Sequence, residues 1–136
     1  MASHWLVKSE PDTYSYADLE RDGCTIWDGV RNFAAASHLK SMKVGDQVFF
    51  YHSQEGKEVV AIAQVAKEAF PDASDPTGKF VAVELTPVRK LKTSVTLAEM
   101  KANPALSDMP MLRQGRLSVS PVSDAEWETI LKMAGE

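Results

Sequence analysis

The segment CTIWDGVRN, residues 24–32, places an aromatic ring, a glycine, a cation and a helix-capping residue within six positions. Trp27 precedes Asp28-Gly29, a turn signal, rather than further apolar sequence. Two interpretations are open: Trp27 belongs to the core, or it forms the wall of a pocket. A tryptophan at a turn suits a flat heterocycle, because the ring stacks while polar groups read the ligand's edge.

Polar residues also gather where the predicted strands end. Ser9 follows Trp5 and Val7 on one strand face, and Ser53 follows Tyr51 on another. The alternative for the serines is a turn-capping hydroxyl, and for Tyr51 a core ring with a solvated hydroxyl. The three clusters are Lys8-Ser9-Glu10, Tyr51-His52-Ser53 and Arg116-Leu117-Ser118.

The sequence offers little for catalysis. His52-Ser53 is a tempting base and nucleophile, but neighbours on a strand point to opposite faces unless the strand ends there. No G-x-S-x-G elbow and no phosphate-binding glycine loop occurs. The histidines lie far apart and Cys24 is the single cysteine, so metal-ligand spacing is absent. We therefore predict no enzymatic activity, no metal and no cofactor.

Composition indicates one domain, at residues 1–136, outside membranes and in a reducing compartment. Hydrophobic residues make up 44% of the 136, enough for a single core, without a membrane-length apolar run. A lone cysteine favours the cytosol, or the nucleus in a eukaryote. The net charge of −4 argues against a broad non-specific grip on nucleic acid. A local basic patch remains open, as does a solvated face, for Arg89, Lys90, Lys92, Lys101, Arg113 and Arg116.

Periodicity and capping signals predict short helices around a sheet. Asn32 is expected to cap a helix that ends near Met42, and Ser123 to cap one that buries Trp127. Strands without long helical crossovers favour an antiparallel or mixed sheet, with 117–122 at an edge because of Pro121. The predicted strands are 4–8, 47–53, 58–67, 80–91 and 117–122, and further helices begin near Ser15 and Thr96.

Four motifs carry a family resemblance: WLVKSEP, WDGVRN, MKVGDQVFFYHS and RLSVSPVSDAEW. Together they resemble the EVE domain, from about His4 to Met133. The resemblance implies an α+β, PUA-like mixed β-barrel of about five to six strands with short flanking helices. It also implies a relationship to YTH domains, which bind a methylated adenine of RNA in an aromatic cage. EVE domains are thought to read modified bases, chiefly modified cytosines in DNA.

By resemblance, the ligand site draws on all four motifs. Trp27 is expected to stack on the base, and Ser9, Asp28 or Ser53 to read its edge. Arg31 and Arg116 are expected to meet a phosphate or to cap the pocket electrostatically. The implied site residues are Lys8, Ser9, Glu10, Trp27, Asp28, Arg31, Asn32, Tyr51, His52, Ser53, Arg116, Leu117 and Ser118.

Two departures from the family pattern bear on affinity. The family often has an arginine where this chain has Ala36, and residues 71–79 form a short loop without tryptophan. Phe70 or Phe80 is then a substitute cage wall, or the cage is open. We expect weak, salt-sensitive binding to nucleic acid carrying a modified base, DNA or RNA, with avidity from a partner protein. The alternatives are a sensor of a free nucleotide and a hydrolase acting on a modified base.

Overall fold

The computed structural model describes residues 3–54 and 56–136, which form six strands, five α-helices and one 3-10 turn. The strands are β1 (His4–Ser9), β2 (Thr25–Trp27), β3 (Gln47–His52), β4 (Glu58–Pro71), β5 (Val81–Thr96) and β6 (Val119–Val122). The helices are α1 (Tyr16–Asp22), α2 (Phe33–Ser41), α3 (Leu97–Ala102), α4 (Pro110–Arg113) and α5 (Asp124–Met133), and Pro104–Leu106 is the 3-10 turn.

The strands form one mixed sheet in the order β2-β5-β4-β3-β1-β6. β1 runs parallel to β3, and the other neighbours are antiparallel. The α+β fold with five to six strands is therefore confirmed. Within the described chain, β2 and β6 stay at opposite edges, so the sheet is barrel-like but open. Pro121 lies in edge strand β6, where its missing N–H costs no ladder bond.

Both faces of the sheet are covered by apolar layers. Val7 and Phe50 point into the first core, which α2 covers through Ala35 and Leu39. The alternate residues of β1 and β3 point into the second core, which contains Trp127 of α5. This two-sided burial explains why β3 is a continuous apolar run rather than an alternating one.

Four helices start directly after the capping residues that the sequence predicts. The side chains of Ser15, Thr96 and Ser123 each accept the N–H of the third helical residue, and each forms a capping box. The Asn32 side chain accepts the Ala35 N–H at 3.0 Å. Ala36, where the family often has arginine, is buried in the first core, so alanine is a packing residue here.

Candidate functional site

Trp27 lies on β2 rather than on the turn that the sequence suggests. Its backbone pairs with Val83, and its indole meets the Phe50 ring edge to face at 5.6 Å and 83°. The ring remains partly exposed and borders a cavity of about 290 Å³. Trp27 is therefore both a packing residue and a pocket wall. We call this space the Trp27 cavity; it is lined by Ser9, Thr13, Tyr14, Thr25, Ile26, Trp27 and Asp28.

Hydrogen bonds hold one wall of the Trp27 cavity in place. The Ser9 hydroxyl donates to the Tyr14 carbonyl at 2.5 Å, and the Tyr14 hydroxyl donates to Asp22 at 2.9 Å. Sequence reasoning missed Thr13, Tyr14, Thr25 and Ile26. Thr25 could have been predicted, because on a strand it shares a face with Trp27. Tyr14 could not, because its position depends on how the turn after β1 folds back.

The loop after Trp27 is tied down by a buried carboxylate. Asp72 accepts the Gly29 N–H at 2.8 Å and the Arg31 guanidinium at 3.1 Å, and its other oxygen accepts Ser74. Burial alone would raise the pKa of the Asp72 carboxyl. The bonds from Ser74, Gly29 and Arg31 outweigh it and hold this pKa well below its usual range. Asp72 thus fixes the turn that follows the pocket wall.

A similar carboxylate organises the rest of this loop. Asp75 accepts the Thr77 hydroxyl at 2.6 Å and the Phe80 N–H at 2.8 Å. Its pKa is lowered to about 2, chiefly by the Thr77 hydroxyl, against the opposing effect of burial and with help from backbone N–H groups. Residues 72–80 are therefore an internally bonded brace rather than a slack connection.

Arg31 is engaged with this brace. Besides Asp72, its guanidinium contacts the Ser74 hydroxyl at 3.1 Å and lies over the Phe80 ring at 5.1 Å. Phe33 stacks on Phe80 at 5.4 Å and is 74% exposed. The Asp72 carboxylate thus balances the charge of Arg31. The contacts of Arg31 fix the turn after β2 against residues 72–80.

Neither proposed substitute for the second cage wall borders the Trp27 cavity. Phe80 is occupied by Phe33 and Arg31, and Phe70 lies beneath the Lys67 ammonium at 4.9 Å. The second aromatic residue that lines this cavity is Tyr14.

Tyr51 and Ser53 belong to a different cavity, of about 340 Å³, on the opposite face of the sheet. The family resemblance predicts that they share one site with Trp27. The separation follows from strand geometry: Tyr51 points into the second core, whereas Trp27 packs on Phe50 in the first. We call it the lysine cavity; it is lined by Lys8, Tyr51, Ser53, Gln54, Lys57, Leu97, Lys101, Met111, Leu112 and Gly115.

His52 has a structural partner. Its Nε2 accepts the Tyr16 N–H at 3.1 Å, which requires the neutral ring with its proton on Nδ1. Burial lowers the pKa of His52, with Glu58 opposing, and so favours the same neutral form. Its ring packs on Phe50 while Ser53 borders the lysine cavity, so the pair lacks the geometry of a base and nucleophile.

The remaining candidates lie around these two cavities. Glu10 is exposed, and its carbonyl accepts the N–H groups of Thr13 and Tyr14. Leu117 is 4% exposed and belongs to the first core. The Ser118 carbonyl accepts the Lys8 N–H at 2.9 Å. Arg116 is exposed and, in the part of the chain described here, has no ion-pair partner.

Comparison with known proteins decides the family. The EVE domain model matches residues 3–133. The chain belongs to the EVE domain family. Human thymocyte nuclear protein 1 is 31% identical over 98% of this chain and 74% of its own length.

Two solved structures show how closely this EVE domain follows its relatives. Rpa0253 from Rhodopseudomonas palustris has a TM-score of 0.94 and 47% identity, over 98% of this chain and 94% of its own. Human THYN1, in complex with DNA containing 5-methylcytosine, also has a TM-score of 0.94, with 31% identity over 99% of each chain.

The described residues of this EVE domain contain neither a cluster of metal ligands nor a membrane-length apolar helix. Across residues 3–54 and 56–136, no three His, Cys, Asp or Glu side chains come together as metal ligands. In the same ranges, no helix combines the length and the apolarity needed to cross a bilayer.

Proposed function

We propose that this EVE domain is a binding module that takes one modified base of DNA, a modified cytosine, into the Trp27 cavity. The observation that carries the proposal is the partly exposed Trp27, which borders a cavity whose lining also includes Thr13, Thr25 and Asp28. The human relative bound to 5-methylcytosine DNA supports the ligand class. At about 290 Å³, the cavity lies at the small end of ligand sites and suits a single base.

The free energies of stacking and of base extrusion predict weak binding of the modified base. Stacking one base contributes about 1–3 kcal/mol, whereas extruding it from a duplex costs a few kcal/mol. These terms nearly cancel, so edge hydrogen bonds and phosphate contacts supply the net affinity. A buried methyl group adds about 0.8 kcal/mol, only a few-fold preference. Larger discrimination requires a hydrogen bond that the unmodified base cannot satisfy.

The polar groups that could bond to the edge of the base are those whose hydrogen-bonding capacity is not already used within the protein. The Ser9 hydroxyl already donates a hydrogen bond to the Tyr14 carbonyl, so from a ligand its oxygen can only accept. Thr13, Thr25 and Asp28 also line the cavity, and the Thr25 side chain is hydrogen-bonded to the Tyr14 hydroxyl. We assign the donor amino group at C4 of cytosine to Asp28 and Ser9, which can only accept, whereas a threonine hydroxyl can also donate.

Replacing the indole tests the proposal. Trp27→Leu keeps an apolar group against Phe50 but removes the stacking surface, so affinity for a 5-methylcytosine oligonucleotide should fall by about five-fold to 150-fold. Trp27→Phe keeps an aromatic face and should lose less. Binding is measured by fluorescence anisotropy, and the fold is checked by urea unfolding.

Three outcomes separate the proposal from its alternatives. Unchanged affinity in a folded Trp27→Leu protein would exclude the indole as the stacking surface. Equal binding of a free modified nucleoside and of the oligonucleotide, without salt dependence, would favour a free-nucleotide sensor instead. A mass change of the ligand on incubation would identify an enzyme.

A further inference from the structure

The lysine cavity concentrates positive charge on a protein whose net charge is negative. Lys8, Lys57 and Lys101 all border it, above apolar side chains that include Tyr51 and Met111. A second hollow, lined by residues 96–98 and Gly56, shares Lys57 and Lys101 with it, so the two form one groove. The groove therefore offers cations above an apolar floor.

These lysines differ from half of the basic segment found in the sequence. Arg89 pairs with Glu136, Lys90 with Glu20 at 3.8 Å and Arg113 with Asp108 at 3.5 Å. The other three cations of that segment, Lys92, Lys101 and Arg116, have no ion-pair partner within the described ranges. The same holds for Lys8 and Lys57, so all three lysines of the cavity keep their charge available in the part of the chain that the structure describes.

Local contacts position the lysines. Lys8 donates to the Gly115 carbonyl at 2.8 Å and lies 5.9 Å from the centre of the Tyr51 ring. A carbonyl does not neutralise an ammonium group, and two of the three N–H groups of the Lys8 ammonium remain for a ligand. The Lys57 carbonyl accepts the Leu97 N–H at 2.8 Å, which places Lys57 beside the start of α3.

The lysine cavity and the Trp27 cavity meet at the end of one strand. Lys8 borders the first and Ser9 the second, because successive side chains on β1 point to opposite faces of the sheet. The Ser53 N–H donates to the Ser9 carbonyl at 2.9 Å, so the ends of β1 and β3 form the ridge between them. A DNA strand carries a negative charge about every 3.4 Å along the duplex axis, so a base held in the Trp27 cavity has phosphates on both sides of it.

We propose that the lysine cavity holds phosphates of the same DNA strand whose base enters the Trp27 cavity. The proposal rests on the proposed function and assigns the sequence-independent part of the affinity to the opposite face of the sheet. The phosphodiester supplies the anion, and its deoxyribose covers the apolar floor formed by Tyr51 and Met111. Lys57 and Lys101 are the exposed contacts, and Lys8 is the half-buried one.

The test compares two double variants of equal charge. Lys57→Gln/Lys101→Gln removes the exposed cations of the cavity, and Lys40→Gln/Lys132→Gln removes two exposed lysines outside both cavities. Each is titrated with duplexes carrying cytosine or 5-methylcytosine, between about 50 and 200 mM salt. The cavity variant should bind both duplexes about three- to thirty-fold more weakly, without changing their ratio. The slope of log affinity against log salt should flatten by about 1.8.

The outcomes separate this inference from the function on which it rests. If the wild type prefers 5-methylcytosine but the two double variants bind alike, the phosphate site is wrong and the base reader stands. If the wild type binds both duplexes equally and only the cavity variant weakens, the phosphate site stands and the base preference fails. Absence of any binding by the wild type overturns both. Thermal melting of each variant checks that the fold is kept.

Discussion

Two residues show how a side chain chosen as a site candidate also serves the fold. Trp27 packs edge to face on Phe50 and still borders a cavity, so its two sides have different roles. His52 also packs on the Phe50 ring and accepts a backbone N–H from the first turn of α1. Protonating a half-buried acceptor would break this hydrogen bond, which gives His52 a measurable signature.

We expect the free energy of unfolding to fall as the pH drops below about 6.5, the ordinary pKa of histidine. Burial lowers the folded-state pKa of His52 and of His38, so the unfolded chain binds more protons in this range. His52 contributes at most about 1.4 kcal/mol per pH unit. Urea unfolding at several pH values measures the slope.

In the variant His52→Gln, the amide oxygen can accept the Tyr16 N–H in place of the imidazole. Its free energy of unfolding should depend less steeply on pH, and the remaining dependence should come from His38. A slope as steep as that of the wild type would mean that His52 titrates normally in the folded protein.

The elements around the Trp27 cavity depend on one loop-to-loop clamp. Asp72, at the end of β4, holds the turn after β2 through the Gly29 N–H and Arg31. Gly29 adopts φ +76°, and a Cβ there would meet no atom within 4 Å. The backbone conformation, not space, therefore requires glycine at this turn.

Gly29→Ala should cost about 1–2 kcal/mol of stability, the expense of left-handed backbone for a residue with a Cβ. It should also weaken ligand binding, because the turn adjoins Trp27 and Asp28. Gly135→Ala is the matched control: it has φ +78° and equally open space, but lies at the far end of the chain. Equal binding by the two variants, at similar stability, would show that the clamp does not shape the pocket.

The sequence predicts the helices and strands of this protein better than it predicts which of them pair and which side chains come together. Capping boxes and turn signals locate the helices, because these depend on neighbouring residues. The three-residue strand β2 escapes prediction, since it exists only through its pairing with Val83 and its neighbours on β5. The structure also places Ser53 and Trp27 at different cavities, because strand ends that are adjacent in space can present their side chains on opposite faces.

The molecule as a whole is a sheet between two apolar layers, and strand β1 meets helix α5 on the side of the second layer. Trp127 of α5 lies between the Phe49 ring at 3.7 Å and the His4 ring at 4.3 Å. It is 3% exposed, which confirms the prediction that it is a core residue. The C-terminal helix is thus part of the core rather than an attachment to it.

Trp127→Ala should lower the free energy of unfolding by about 3–5 kcal/mol, because a large cavity opens between β1, β3 and α5. Trp127→Phe should lose much less. Chemical unfolding measures both, and the oligonucleotide affinity of whatever protein remains folded should be unchanged, since Trp127 borders neither cavity. A loss of stability below about 1 kcal/mol for the alanine variant would mean that α5 is loosely attached.

The position of β1 has a consequence for how the chain is made. β1 is translated before its neighbour β6, at Val119–Val122, by an interval on the order of ten seconds. In that interval one edge of β1 offers unpaired backbone groups beside an uncovered apolar face, the arrangement that invites pairing with another chain. The nascent chain should therefore depend on chaperones until β6 has been made.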